Sequence, residues 1–188
     1  MKRKLSLVFF LAAVILVMLA CTIFVGGPDY PAERIPVSTA AVGELQFAIQ
    51  TAVAQGMETG QITLVITEPQ MTSYLSYKLQ QQPTPFITDP QVTLRNGQIT
   101  IYGTAKQGYF QATINITLTA GVDEQGQLKI ELTAADFGPL PVPKGLKDIV
   151  TAMVKEAYTG SIGPAATGIR LTSITIADGT MTIVGRIK

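Results

Sequence analysis

The sequence predicts an α+β protein: a curved antiparallel sheet of about seven strands wrapped against long amphipathic helices, preceded by one N-terminal transmembrane helix. Three observations lead to this fold. Segments of alternating apolar and polar residues recur along the chain, three segments carry apolar residues at helical spacing, and one uninterrupted apolar run stands at the N-terminus. The alternation indicates a sheet with one apolar face, covered by helices, and one wet, threonine-rich face.

The apolar run covers residues 5–25 and follows the basic start Lys2-Arg3-Lys4. A helix crosses a hydrocarbon core with ~20 apolar residues, so this run is long enough. Cations before the run, and none directly after it, orient the start inward and the rest outward. We expect a basic cytoplasmic start and transmembrane anchor over 1–26, a stiff Pro/Gly linker over 27–37 that holds the domain slightly off the cell membrane, and an extracytoplasmic domain over 38–188.

The uncleaved anchor has two alternatives. A cleaved signal peptide normally carries a shorter apolar stretch and a small-residue cleavage site. A lipoprotein is the other, because Met18-Leu19-Ala20-Cys21 is similar to a weak bacterial lipobox, in which Cys21 would carry the lipid and become the first residue. Span length favours the anchor, and the lipoprotein alternative also leaves the domain on the outer face of a membrane.

The composition argues against several functional classes. The chain has no histidine, and its one cysteine lies in the apolar run, so we expect no disulfide within the domain, no metal site of the common types and no imidazole base. The net charge is only +1, and three of the cations precede the apolar run and so lie outside the predicted domain. We therefore expect no basic patch on the domain that could bind nucleic acid. The carboxylates are scattered and no phosphate-binding glycine motif follows a strand, so we expect neither catalysis nor a cofactor.

Three helices are predicted. The first starts at Ser38 or Thr39 and stops at Gly56, with Val42, Leu45, Ile49 and Val53 as its apolar stripe. The second starts at the sequence Thr67-Glu68-Pro69-Gln70, which has the form of a capping box, and ends at about residue 81. The third runs from about residue 144 to about residue 158 and is closed by Gly160.

A strand over 61–67 and three hairpins complete the predicted fold. The hairpins turn at Asn96-Gly97, over 123–126 and at Asp178-Gly179. The first and last hairpins match each other over 92–103 and 174–185, where both have the form apolar-Thr-apolar, then Asn or Asp followed by Gly, then apolar-Thr-Ile and a final Gly. Convergence of two tight hairpins and duplication of a helix–hairpin unit both explain this similarity.

The candidate ligand-contacting residues are apolar and come from the second and third helices. Such stripes are core by default, but they can also line an elongated groove for acyl chains, for which adaptable methionine side chains are well suited. The residues are Met71, Leu75, Leu79, Leu146, Val150, Met153 and Val154.

Several segments together resemble the YpmS/LmeA-like group of bacterial membrane-anchored extracytoplasmic proteins. The matching segments are 66–75 (strand into helix), 122–132, 137–143 (Phe-Gly-Pro-Leu-Pro-Val-Pro) and the hairpin over 171–185. The resemblance implies a fold like part of a tubular lipid-binding domain, with a long helix cradled in a rolled antiparallel sheet. It also implies phospholipid binding, without a catalytic signature and without lipid-contact residues that transfer by motif.

The function expected from these observations is a non-catalytic, membrane-anchored lipid-binding domain of the bacterial cell envelope. Its ligand would be a phospholipid or another molecule with acyl chains, held by burial of apolar surface. The alternative from a different class is a structural or adaptor module that binds an unidentified envelope protein through a sheet edge or an exposed apolar patch. A hydrolase using a carboxylate pair is a third, weaker alternative.

Overall fold

A computed structural model of the chain describes residues 22–85, 87–146, 148, 152 and 168–187. These residues form two helices and eight strands, which confirms the α+β class. The helices are α1 (Thr39–Thr59) and α2 (Glu68–Gln80). The strands are β1 (Ile23–Phe24), β2 (Gln61–Thr67), β3 (Ile87–Arg95), β4 (Gln98–Gln107), β5 (Phe110–Val122), β6 (Leu128–Asp136), β7 (Ile169–Ala177) and β8 (Thr180–Ile187).

The strands divide between two hydrogen-bonded sheets rather than one. The larger sheet has the order β1-β5-β4-β3, with β6 also paired to β5, and the smaller sheet has the order β2-β8-β7. All pairs are antiparallel except β1 with β5. The inner faces of both sheets and the buried side of both helices belong to one apolar core.

The end of the apolar run is part of the folded domain. Ile23 and Phe24 form a strand along β5, so the prediction that the run is helical as far as residue 25 is wrong for these two residues. The Val25 N–H donates to the Gln111 carbonyl at 2.9 Å, and the Gly26 carbonyl accepts from the Thr113 N–H at 3.0 Å. β1 occupies the part of the β5 edge that lies before Asn115, where β6 begins to pair, and this explains its extended form.

The predicted linker, residues 27–37, contains neither helix nor strand and is bonded to the larger sheet. The Tyr30 hydroxyl donates to the Asp89 carbonyl at 3.1 Å, and Arg34 forms an ion pair with the Asp89 carboxylate at 2.6 Å. The backbone N–H of Ile35 donates to Gln91 Oε1 at 2.7 Å, while Gln91 Nε2 donates to the Ile35 carbonyl at 3.2 Å. The linker therefore covers the free edge of β3, which sequence patterning does not reveal.

Helix α1 starts as predicted, with Ser38 as its N-cap, but it continues past Gly56 and ends at Gly60 in the left-handed conformation. Gly56 does not terminate the helix but lies buried within it. A side chain at this position would collide with Ile62 of β2, so glycine allows the close contact between the helix and that strand. Small residues therefore let α1 lie close to the smaller sheet. The buried residues of α1 are Ala41, Leu45, Ile49, Ala52 and Gly56, so Ala41 and Ala52 replace the predicted Val42 and Val53.

Helix α2 confirms the predicted capping box. The Thr67 hydroxyl accepts from the Gln70 N–H, and the Gln70 side chain accepts from the Thr67 N–H at 3.0 Å. The helix then packs along β3 and satisfies that strand's outward N–H groups with its own side chains. Thr72 Oγ1 accepts from the Val92 N–H at 3.0 Å, and Glu68 Oε1 accepts from the Leu94 N–H at 2.7 Å. The β3 edge is thus closed by α2 and by the linker together.

The hairpins that turn at Asn96-Gly97 and Asp178-Gly179 are confirmed. On β5 the predicted inward residues Ile114, Ile116 and Leu118 are each 1% exposed, while the threonines between them are only partly covered. The alternation of β5 therefore predicted the inner face of the larger sheet correctly.

The Pro-rich segment after β6 packs onto the core through Phe137 and Leu140, which are both buried.

The two matching hairpins share their pairing in detail. Ile87 pairs with Ala105 as Ile169 pairs with Ile187, and Arg95 pairs with Gln98 as Ala177 pairs with Thr180. Each hairpin has a register shift just before an equivalent residue, Gln91 in β3 and Ser173 in β7. The shifts differ in detail, because Gly103 is left unpaired in the first hairpin whereas the equivalent Gly185 pairs with Leu171 in the second. The similarity thus extends beyond the residues matched in sequence, over the full length of both hairpins.

None of the helices in the described part of the chain is both long and apolar enough to cross a membrane. The predicted transmembrane helix and Cys21 lie outside the described residues, apart from the end of the run that forms β1. Most of the predicted third helix also lies outside them, including Val150, Met153 and Val154.

Candidate functional site

The apolar residues predicted to contact a ligand fall into three groups. Leu79 and Leu146 are each 4% exposed and belong to the apolar core. Met71 and Leu75 of α2 are partly buried and pack against that core. Val150, Met153 and Val154 lie outside the described residues. Met71 and Leu75 are therefore the predicted pair that keeps some exposed apolar surface.

Three of the four buried residues of α2 are polar, which the apolar stripe did not predict. Thr72 and Ser73 are fully buried and Ser76 is nearly so. They serve the backbone of neighbouring segments: Thr72 accepts from Val92, as described above, and Ser73 Oγ accepts from the Ser38 N–H at 3.1 Å. These short side chains let α2 approach β3 and the start of α1 closely, whereas the larger residues Met71 and Leu75 are only partly buried.

Side chains on the inner face of the larger sheet are buried on three strands but only partly buried on β6. In one row across the sheet, Leu94, Ile99 and Leu118 are at most 4% exposed, whereas Leu132 at the end of that row is only partly buried. The same partial burial extends along β6 and the end of β5. We call this apolar area the β6 surface, formed by Ala120, Val122, Leu128, Ile130, Leu132 and Ala135.

The β6 surface and the exposed part of α2 are associated with different strands of the larger sheet. Helix α2 packs on β3, and β3 and β6 lie at different edges of the larger sheet. The candidates from α2 are thereby separated from the β6 surface by the closed rows of β4 and β5. The β6 surface combines six partly buried apolar residues, whereas Met71 and Leu75 are the partly buried apolar candidates on α2.

A polar cluster lies where the linker meets the larger sheet. The Arg34 guanidinium lies 4.3 Å from the centre of the Tyr30 ring and also bonds Asp89, which has a left-handed φ of 51° at the β3 bulge. A hydrogen bond of 3.1 Å joins the hydroxyls of Tyr30 and Thr104. Desolvation by burial raises the pKa of the Tyr30 phenol. The cluster fastens the linker to the sheet, and its members already bond one another.

Several carboxylates in the described part of the chain serve the backbone. The Asp123 carboxylate accepts from the Gln125 and Gln127 N–H groups at 3.0 and 2.7 Å, which stabilises the turn after β5. Asp136 Oδ1 accepts from the Gly138 N–H at 2.8 Å. Within the described residues, no group of three or more acidic, cysteine or histidine side chains is placed to hold a metal ion.

Sequence reasoning missed one exposed apolar feature at the free end of the larger sheet. Ile23 and Phe24 of β1 lie there beside Tyr109 and Phe110, which follow the turn between β4 and β5. All four side chains are about half exposed or more. The sequence signal that could have predicted this feature is the pair of aromatic residues directly after Gly108. Side chains at a tight hairpin turn are rarely buried, so aromatic residues there are expected to be exposed.

Comparisons of the chain with protein-family models, with curated proteins and with solved structures found no match.

Proposed function

We propose that the protein is a membrane-anchored, non-catalytic extracytoplasmic lipid-binding domain of the bacterial cell envelope, and that the β6 surface contacts the acyl chains of its ligand. The observation that carries the proposal is the partly exposed inner face of β6. Leu132 is only partly covered beside Leu118 of β5, which is 1% exposed, and Ile130 and Leu128 are partly covered beside Ala120 and Val122, which are themselves partly buried. Apolar surface of this kind gains roughly 0.8 kcal/mol for each CH₂ group that a ligand buries on it.

The place of this surface in the sequence supports the proposal. It includes the segment 122–132, part of the resemblance to the YpmS/LmeA-like group, for which phospholipid binding is the implied activity. Anchoring by the part of the apolar run that precedes β1 would keep the domain close to a source of acyl chains.

Native mass spectrometry of the full chain, purified from cells in mild detergent, tests the proposal. We expect phospholipid to be retained by the parent protein and to be reduced in Ile130→Thr and Leu132→Thr, which keep strand-compatible side chains but make the β6 surface polar. Lys129→Thr is the matched control, because Lys129 lies on the opposite face of the same strand. Equal lipid retention in all four proteins would show that lipid is held elsewhere.

The adaptor alternative is supported by a separate observation. Within the described residues β6 pairs with β5 alone, so it is an edge strand. Its outward side chains include the ion pair of Lys129 and Glu131 at 2.8 Å, the kind of charge that limits unspecific pairing of an exposed edge. If the edge binds a partner, a photo-crosslinking residue in place of Thr133 should attach one defined envelope protein. Under this alternative, Ile130→Thr should not change the amount of lipid retained.

A further inference from the structure

The free end of the larger sheet carries a compact apolar patch. Ile23 and Phe24 are 54% and 57% exposed, and Tyr109 and Phe110 are 60% and 48% exposed. Backbone pairing holds them together, since Ile23 is paired with Phe110 and its N–H donates to the Tyr109 carbonyl at 2.7 Å. We call these four residues the apolar tip. Exposed clusters of large apolar side chains that a domain does not need for its own core commonly mark a contact surface.

The direction of the chain at the apolar tip identifies what the tip faces. β5 leads from the tip into the sheet, and β1 runs parallel to it. The chain therefore enters β1 from the side of the tip, with Thr22 before Ile23. In the sequence the residues that lead to this point are the uncharged run that begins at residue 5. The tip thus lies directly at the end of the segment long enough to cross a bilayer.

We propose that the apolar tip inserts into the interfacial layer of the membrane, so that Tyr109 and Phe110 contact lipid headgroups and the upper acyl chains. This inference rests on the proposed membrane attachment through the N-terminal run. Aromatic side chains concentrate at this layer, because their rings are apolar at one end and tolerate water at the other. Lys106, exposed at the end of β4, adds a cation suited to anionic headgroups.

Insertion of the tip would give the domain a fixed orientation on the membrane. Residues 23–26 are bonded to β5 from Tyr109 to Thr113, so the chain joins the sheet directly after Thr22. The linker that follows β1 is also bonded to the same sheet, through Asp89 and Gln91 of β3. The larger sheet would then stand on the membrane by its β4–β5 turn, and the β3–β4 turn at the other end of β4 would point away from it.

Tryptophan fluorescence tests this proposal, because the natural chain contains no tryptophan. Tyr109→Trp would report from the tip, and Met57→Trp is the control, since Met57 is 74% exposed in the last turn of α1 beside the smaller sheet. Each full-length variant is reconstituted in vesicles of phosphatidylcholine and phosphatidylglycerol, with and without lipids brominated in the upper part of their acyl chains. We expect the emission of Tyr109→Trp to be blue-shifted and quenched by the brominated lipids, and the emission of Met57→Trp to be neither.

The outcomes separate the apolar tip from the anchor. If the protein floats with the vesicles and the indole of Tyr109→Trp is solvent-exposed and unquenched, the tip proposal is wrong while membrane attachment stands. If the protein does not float, attachment and the tip proposal both fail. Equal quenching of the two variants would also overturn the proposal, because contact would not be specific to the tip. Adding Phe110→Asp to Tyr109→Trp should weaken quenching and leave the denaturant midpoint unchanged, because Phe110 is about half exposed.

Discussion

Gly97 donates its backbone N–H to the carbonyl of Ile176 at 3.0 Å, and the equivalent bond runs in the other direction, from the Gly179 N–H to the Leu94 carbonyl at 3.0 Å. Leu94 and Ile176 hold the same position in the two matching hairpins, as do Gly97 and Gly179. The hairpins are thus related by a reciprocal contact between their turns. Convergence explains a shared turn sequence, but it does not require a shared bulge position or reciprocal bonds, so duplication is the better explanation.

The two turn glycines should respond alike to substitution. Both have left-handed φ angles, 75° at Gly97 and 79° at Gly179, which cost a residue with a side chain roughly 1–2 kcal/mol. We expect Gly97→Ala and Gly179→Ala to lower the free energy of unfolding by similar amounts, measured from denaturant midpoints of the full-length protein in mild detergent. Gly121→Ala is the control, because its φ is not positive and a side chain there meets no neighbour. Unequal losses would argue against equivalent turns.

A second equivalent pair tests the contact between strands inside each hairpin. A side chain at Gly103 would collide with Ile87 Cγ2, and one at Gly185 would lie 2.9 Å from Ile169 Cγ2. We expect Gly103→Ala to cost ~1–3 kcal/mol by overpacking, and Gly185→Ala to cost less because its contact is looser. Combining Gly103→Ala with Ile87→Ala should cost less than the sum of the two single changes, measured as a double-mutant cycle. Simple additivity would contradict the collision.

The edge of β3 provides a test of how α2 is held. Thr72→Val keeps the shape of the side chain but removes the oxygen that accepts from the Val92 N–H, and both residues are almost fully buried. We expect a loss of ~1–3 kcal/mol in the free energy of unfolding and faster exchange of the Val92 amide. Thr72→Ser retains the acceptor and should cost about 0.8 kcal/mol, the value of one methyl group. A Val variant as stable as the Ser variant would show that this bond is unimportant.

Local signals predicted most of the secondary structure. The Asn96-Gly97 and Asp178-Gly179 turns, the capping box at Thr67 and the alternation of β5 each depend on a few adjacent residues, and all are confirmed. The division into two sheets depends on which strands pair over long distances, and patterning alone does not contain that information. The strand formed by Ile23 was missed for the same reason, because the free part of the β5 edge decides its conformation.

The candidate site was harder to predict than the fold. Apolar spacing alone does not separate a residue of a closed core, such as Leu79, from one that keeps exposed surface, such as Leu75. The β6 surface has the same alternation as β5 and differs only in what covers it, which is a property of the assembled fold. The apolar tip combines two segments far apart in sequence, so only the parallel pairing of β1 with β5 brings it together.

Alkaline pH should loosen the contact between the linker and the sheet. Burial raises the pKa of Tyr30 above its ordinary value of 10.0, so the folded state favours the neutral phenol. The stabilisation from this preference is present below about pH 10 and is lost as the pH rises through the raised pKa. We expect Tyr30→Phe to be less stable than the parent by about 1–2 kcal/mol near neutral pH, since two hydrogen bonds are lost, and the difference to shrink as the pH rises above about 10. Thermal midpoints across this range measure the effect, and Tyr77→Phe is the control because it removes an exposed phenol. A constant difference between parent and Tyr30→Phe would show that ionisation of Tyr30 is not coupled to folding.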